Sequence, residues 1–281
     1  SCAFDGAYIV LNPITDAAHL IHGPIACCGN SYEGRGSLSS GSRLYRYGFT
    51  TDMTEMDIVY GSEAKLMQAV LYIAERYKPA AVFVYSTCIP SLTGEDVEAV
   101  CKEAKSKISI PVIPVIAPGF LGHKNMGNRL AGDVLLDYVI GTGESSELGV
   151  RSSEFTINLI AEYNIAGELW EVLPLFEKIG VRVLSKITGD STFKEITYAH
   201  YAKLNLLVCG RALINVARGM EERYGIPFRE VSFYGISNTR KAIMEVVRFF
   251  QNSNIMEMAE EVITEEEMIA CYALRDYMPF L

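Results

Sequence analysis

Along this chain, short runs of aliphatic and β-branched residues alternate with longer stretches whose apolar positions recur every three or four residues. "PAAVFVYSTC" (79–88) is one such run, "TGEDVEAVCKEAKSK" (93–107) follows with helical spacing and an acidic first turn, and "IPVIPVIAP" (110–118) is the next run. Together they predict one strand–helix–strand unit. The arrangement recurs after residue 150, with strands over "FTINLIAEY" (155–163), "VRVLSKITG" (181–189) and "LNLLVC" (204–209) and an edge-like "FREVSF" (228–233). Helices are predicted between them over "GELWEVLPLFEKIG" (167–180), "TFKEITYAHYA" (192–202) and "ALINVARGMEERYG" (212–225). Strands that are apolar throughout have no polar face to give to water, so they imply parallel sheets covered by helices on both sides. The predicted fold class is α/β, doubly wound, with two consecutive Rossmann-like domains.

Between the two blocks lies "GTGESSELGVRSSE" (141–154), rich in glycine and serine and nearly free of large apolar side chains. That shift in composition sets the expected boundary near residue 150, giving an N-terminal domain over 1–150 and a second over 151–281. The length agrees, because a single core stops growing at about 250 residues. The same segment lacks the Gly-Lys-Ser/Thr ending of a phosphate loop, so nucleotide binding there is not expected. From Ile255 the chain is acidic and helix-like, then ends on "RDYMPFL" without a closing strand, as a piece of a longer chain would.

Charge and hydropathy narrow the partners. A net charge of −9 argues against the clustered basic face of a nucleic-acid binder. The longest apolar runs, such as "AAVFVY" around residue 83, fall well short of the roughly 20 residues that cross a bilayer. The opening "SCAFDGAYIV" has no basic segment ahead of its apolar residues, so a cytoplasmic protein without a membrane span is expected.

Seven cysteines are scattered over the whole length: Cys2, Cys27, Cys28, Cys88, Cys101, Cys209 and Cys271. An odd number without an export signal favours thiols or metal ligands over a disulfide framework. Cys27 and Cys28 are neighbours in "HGPIACCGNSYEGRG" (22–36), and adjacent residues rarely reach the Cβ separation of about 3.8 Å with the torsion a disulfide needs. Cys101 and Cys271 fall in helix-like stretches and read as small core residues. In open parallel sheets, ligands collect at the carboxyl ends of strands. Cys88 and Cys209 end predicted strands, Cys27 follows the "HGP" turn, and Cys2 is expected in a loop before the first strand. A strand-end cysteine on its own is more often a buried small residue than a ligand, and it is their number together that shifts the balance toward a site. No C-x-x-C spacing occurs, and three thiolates leave a four-iron cluster one ligand short, to be supplied by another chain or by a residue other than cysteine.

A wider set of motifs resembles a known family. "CAFDGA", "HGPIAC", "GNSYEGRG", "LYRYGFTTDMTEMDIVYG", "VYSTCIPSLTGEDVEAVCK", "APGFLGHKNMGNRLAGD", "EYNIAGELWEVLPL" and "LNLLVCGRALINVARGMEERYGIPF" occur in order over nearly the whole chain and look like the nitrogenase component 1 family. Within it they are most similar to the α-type subunit of the scaffold on which the iron–molybdenum cofactor of nitrogen fixation matures. The resemblance implies that Cys2, Cys27 and Cys88 are metal ligands of a [4Fe–4S] cluster at a subunit interface, with a fourth cysteine from the partner chain. It implies that Cys209 binds a precursor of the iron–molybdenum cofactor. The implied partners are a β-type scaffold subunit (NifN-like) in a heterotetramer, an ATP-using reductase (Fe protein) and a cluster donor (NifB-like). A third domain is expected after residue 281.

Two departures from the family bear on activity. Where the nitrogenase α chain carries glutamine and histidine beside its cofactor, this sequence has Lys124 and Asn128. An amide does not titrate near neutral pH, so Asn128 cannot deliver a proton as imidazole does, which makes a scaffold the expectation rather than a turnover enzyme. Lys124 and Arg35 add fixed positive charge where an anionic cluster or its homocitrate would lie, so Cys209, Arg35, Lys124 and Asn128 form the expected cofactor-binding set. Cys28 is expected to be a spectator beside Cys27, with ligand exchange or oxidation sensitivity as the alternative. His19 and His22, three apart, read as cap or packing residues at a helix end, His123 as a loop residue near the cavity and His200 as structural. Two other readings stay open: a nitrogenase-like reductase subunit acting on a small molecule or tetrapyrrole, and a metal-free interaction subunit.

Overall fold

The computed structural model describes residues 1–34, 37–144 and 154–275. The first part of the chain runs α1 (Ala3–Leu11), β1 (Ala18–His22), α2 (Ile25–Gly34), β2 (Phe49–Thr50), α3 (Glu55–Tyr60), α4 (Glu63–Tyr77), β3 (Val82–Ser86), α5 (Cys88–Thr93), α6 (Val97–Lys107), β4 (Val112–Ile116) and α7 (Lys124–Tyr138). The second runs β5 (Phe155–Glu162), α8 (Glu168–Lys178), β6 (Val181–Thr188), α9 (Phe193–Thr197), β7 (Leu204–Leu207), α10 (Ile214–Tyr224), β8 (Phe228–Glu230), α11 (Ile236–Phe250) and α12 (Ser253–Leu274).

Two parallel four-stranded sheets result, ordered β2-β1-β3-β4 and β6-β5-β7-β8. The α/β fold class expected from the apolar runs is therefore present, with β1 and β3 buried along their whole length. In each sheet the chain starts in the middle, builds outward on one side, then crosses to the other. The reversal falls between β1 and β3 and again between β5 and β7, and such switch points open a crevice at the carboxyl ends of the strands. A continuous buried core joins the halves: Ile21, Tyr85 and Leu135 belong to the same cluster as Ile160, Leu207 and Val216. The boundary expected near residue 150 lies outside the described residues.

Several local expectations need correction. His19 and His22 lie on β1, not at a helix end, because "AHLIH" has its neighbours in β2 and β3 to bond with. Cys2 caps a helix instead of leading into a strand: its N–H donates to Asp5 Oδ2 at 3.2 Å, so the side chain three residues on closes the first turn. α1 is buried almost all round, so it lacks the one-sided pattern that signals a surface helix. The helix expected over 192–202 stops at Thr197 and continues as a single 3-10 turn, Ala199–Tyr201.

Candidate metal centre

Three thiols far apart in sequence meet at the first switch point. Cys2 caps α1, Cys27 lies in the first turn of α2 just past the end of β1, and Cys88 opens α5 just past the end of β3. Gly119 marks where Cys2 and Cys88 converge. Its N–H donates to Cys88 Sγ at 3.1 Å, and a Cβ at 119 would stand 3.1 Å from Cys88 Sγ and 3.2 Å from Cys2 Sγ. Any larger residue there would push on both sulfurs. Burial raises the Cys27 thiol above its ordinary value, and the negative charges of Cys88, Cys2 and Asp5 raise it further, against a hydrogen bond with Thr87. Cys27 therefore shares its surroundings with both other sulfurs.

All three cysteines are only half-buried, so the cradle has an open side. Ile25, two residues before Cys27, and Phe120 and Leu121, which follow Gly119, stand exposed, at 60%, 56% and 46% of their full exposure. Among the described residues no three His, Cys, Asp or Glu side chains take the geometry of a single metal ion. Thiolates around one tetrahedral zinc sit about 3.8 Å apart, whereas a four-iron cluster takes each thiolate on a different iron and needs a wider cradle. The donors fit such a group: soft sulfur on three elements, with the positive ends of α1 and α2 toward it.

Behind the thiols is a buried polar network that sequence reasoning missed. His22 Nε2 lies 2.8 Å from Glu95 Oε2, Nδ1 lies 3.0 Å from Thr51 Oγ1, and Ser62 donates to Glu95 through both its N–H (3.1 Å) and its hydroxyl (2.7 Å to Oε2). Desolvation lowers the His22 pKa despite Glu95, which favours a neutral ring with Nε2–H toward the carboxylate and Nδ1 toward Thr51 Oγ1. The His22 carbonyl accepts from Thr87 N (3.2 Å) and Thr87 Oγ1 (2.9 Å), which fixes the residue just before Cys88. The only sequence signal was His22 beside the Gly-Pro turn.

Cys209 stands elsewhere, exposed at the second switch point, just past β7. Lys124 is the first residue of α7 and lines a surface cavity of about 330 Å³ with Asp5, Asn30 and Ser31, on the Cys2 side of the molecule. Asn128 is buried in the contact between α7 and α1, where its amide nitrogen, suitably oriented, reaches Gly6 O at 3.0 Å and Lys124 O at 3.3 Å. Lys124 and Asn128 lie on α7, which packs on α1, whereas Cys209 follows β7. Arg35 lies outside the described residues. Cys28 is buried, and a Cβ at Gly48 would meet its sulfur at 3.2 Å; Cys101 is buried on α6. Cys271, expected in a core, is exposed on α12, because helical spacing does not tell which face a long helix turns inward. His123 is exposed before α7, and His200 packs against Tyr201 and Tyr224.

Two doubly wound sheets with thiols at both switch points define the class: a parallel α/β protein that presents sulfur where such folds bind ligands. The chain belongs to the nitrogenase component 1 type oxidoreductase family, whose description matches residues 2–281. It is 57% identical to "Nitrogenase iron-molybdenum cofactor biosynthesis protein NifE" of Nostoc sp. over 98% of its length, which is 57% of that protein. The protein of the same name from Klebsiella pneumoniae is 49% identical, over 98% of this chain and 62% of that one. A solved structure titled "Nitrogenase Cp1 at pH 5" superimposes with a TM-score of 0.91 at 35% identity, over 98% of this chain and 55% of the other. The chain thus spans little more than half the length of these relatives.

Proposed function

We propose that this chain is the part of an α-type scaffold subunit that carries its sulfur ligands, and that the assembly matures the nitrogenase iron–molybdenum cofactor. The observation that carries the reading is the convergence of Cys2 and Cys88 on Gly119, with Cys27 close enough for both to act on its thiol. Those thiolates would hold three irons of an interface [4Fe–4S] cluster, and the open side, with the exposed apolar residues Ile25, Phe120 and Leu121 next to Cys27 and Gly119 in the chain, leaves the fourth iron to a cysteine of a β-type (NifN-like) partner in a heterotetramer. Cys209 would hold a precursor of the iron–molybdenum cofactor at the second switch point. When bound, the clusters supply redox-active iron; the chain supplies soft ligands and a rigid cradle. Division into domains at 1–150 and 151–281 assigns one site to each. The Fe protein and a NifB-like cluster donor are the further partners of this reading. Assembly is favoured over turnover because Asn128, which stands where the family's enzymes carry histidine, directs its amide at the α1 backbone.

The test is iron and sulfide content after anaerobic reconstitution of the full chain with its β-type partner. Cys88→Ala is expected to lose the interface cluster while retaining the larger precursor, and Cys209→Ala the reverse. Equal iron in wild type and both variants would end the proposal.

A further inference from the structure

At the carboxyl edge of the second sheet one polar atom has no partner. Tyr163 directly follows β5, and its hydroxyl is buried without a hydrogen bond to any described residue. Buried hydroxyls are almost always satisfied, because an unmet one forfeits its hydration for nothing. Two other orphaned hydroxyls, on Thr156 and Ser185, lie within strands, whereas Tyr163 lies at a ligand-binding edge.

Tyr163 and Cys209 leave the sheet from adjacent strands. Ile160 of β5 is paired with Leu207 of β7, and Val208 N donates to Ile160 O at 2.9 Å, so the two residues flank the crevice where strand order reverses. The tyrosine packs against the same central core as Ala212 and Ile214, which follow Cys209. Its backbone is fixed by Asn164, which bonds Leu38 O through Nδ2 (3.0 Å) and accepts from Leu169 N (3.1 Å). A phenol ordinarily carries its proton at neutral pH, so the hydroxyl can donate.

We infer that the Tyr163 hydroxyl donates a hydrogen bond to an anionic sulfur of the group bound at Cys209, either the thiolate or a neighbouring sulfide. This rests on the assignment of Cys209 above. A metal–sulfur anion held at Cys209 would give the hydroxyl the partner it lacks among the described residues.

Tyr163→Phe keeps the ring and removes only the oxygen. In the full chain with its partner, reconstituted anaerobically with iron and sulfide, the variant is expected to keep the interface cluster and to lose precursor to a chelator on the order of tenfold faster than wild type. The metal-free variant is expected to melt at the wild-type temperature or above it, because no bond was lost. Wild-type precursor retention in Tyr163→Phe, alongside loss in Cys209→Ala, would overturn the inference and leave the Cys209 assignment standing. So would a metal-free variant that melts several degrees lower, which would show that the hydroxyl already has a structural partner. Full retention in Cys209→Ala would remove that assignment and the role of Tyr163 with it.

Discussion

His19 and His22 sit three apart on β1 and so face opposite sides of the sheet, since side chains alternate along a strand. His19 lies flat on Phe83, with ring centroids 5.4 Å apart and planes 4° from parallel, and its Nδ1 is 2.9 Å from the Tyr85 hydroxyl. Desolvation lowers its pKa from 6.5 to about 4, because a buried imidazolium would lose its hydration without a compensating anion. Between pH 6.5 and 4 the unfolded chain takes up a proton at this residue that the folded chain refuses. The stability His19 contributes is therefore complete above 6.5 and is lost as pH falls through that window, by roughly 3 kcal/mol in total. Denaturant titrations of the metal-free protein at pH 4.5 and 7 should differ less in His19→Gln than in wild type by about this amount. Identical pH dependence in the two would show that His19 is not the group responsible.

At the scale of elements, the placement of Cys2 depends on how closely α1 meets α7. A Cβ at Gly127 would overlap the Ala3 carbonyl oxygen, and one at Gly6 would overlap that of Lys124. Small residues at both points let the backbones touch, and the Cys2 strand-like bridge to His123 follows from that contact. Gly127→Ala is expected to cost about 3 kcal/mol, the upper end for overpacking, because the obstacle is backbone that cannot rotate away. It should also reduce iron retained at the interface site, since Cys2 must move with α1. Chemical denaturation and iron content check both, and a variant within 0.5 kcal/mol of wild type, on the order of ordinary surface changes, would refute the close-contact argument.

Much of this level was legible before the structure. The strands over 79–88, 155–163 and 204–209 announce themselves because buried parallel strands must be apolar on both faces. α1 was not legible, since a helix buried on every side loses its periodicity, and the "AHLIH" strand was mistaken for a helix end because three-residue spacing fits a helix equally well. The family resemblance picked out Cys2, Cys27 and Cys88, but the Thr51, Ser62, Thr87 and Glu95 network that steadies them is assembled from four separate segments, and no local pattern announces it. The side toward which Asn128 points was equally hidden, because a helical position specifies a face only once its neighbour is known.

Across the whole molecule, the two sheets repeat one plan, each with sulfur at its switch point, and a common core holds the two crevices in fixed relation. That arrangement suits a scaffold that keeps one cluster at a subunit boundary and another on a separate thiol. Among the described residues no helix is long and apolar enough to cross a membrane. Cys271, exposed and far along α12, serves as the reference thiol. The central claim is that residues 2, 27 and 88 are ligands of one cluster, and cysteine-resolved alkylation followed by mass spectrometry tests it most directly. In the iron-loaded full complex these three should resist labelling while Cys271 reacts, and all three should become reactive together once a chelator strips the iron. Labelling of Cys2, Cys27 and Cys88 at rates that ignore iron, or protection of one without the others, would contradict the account.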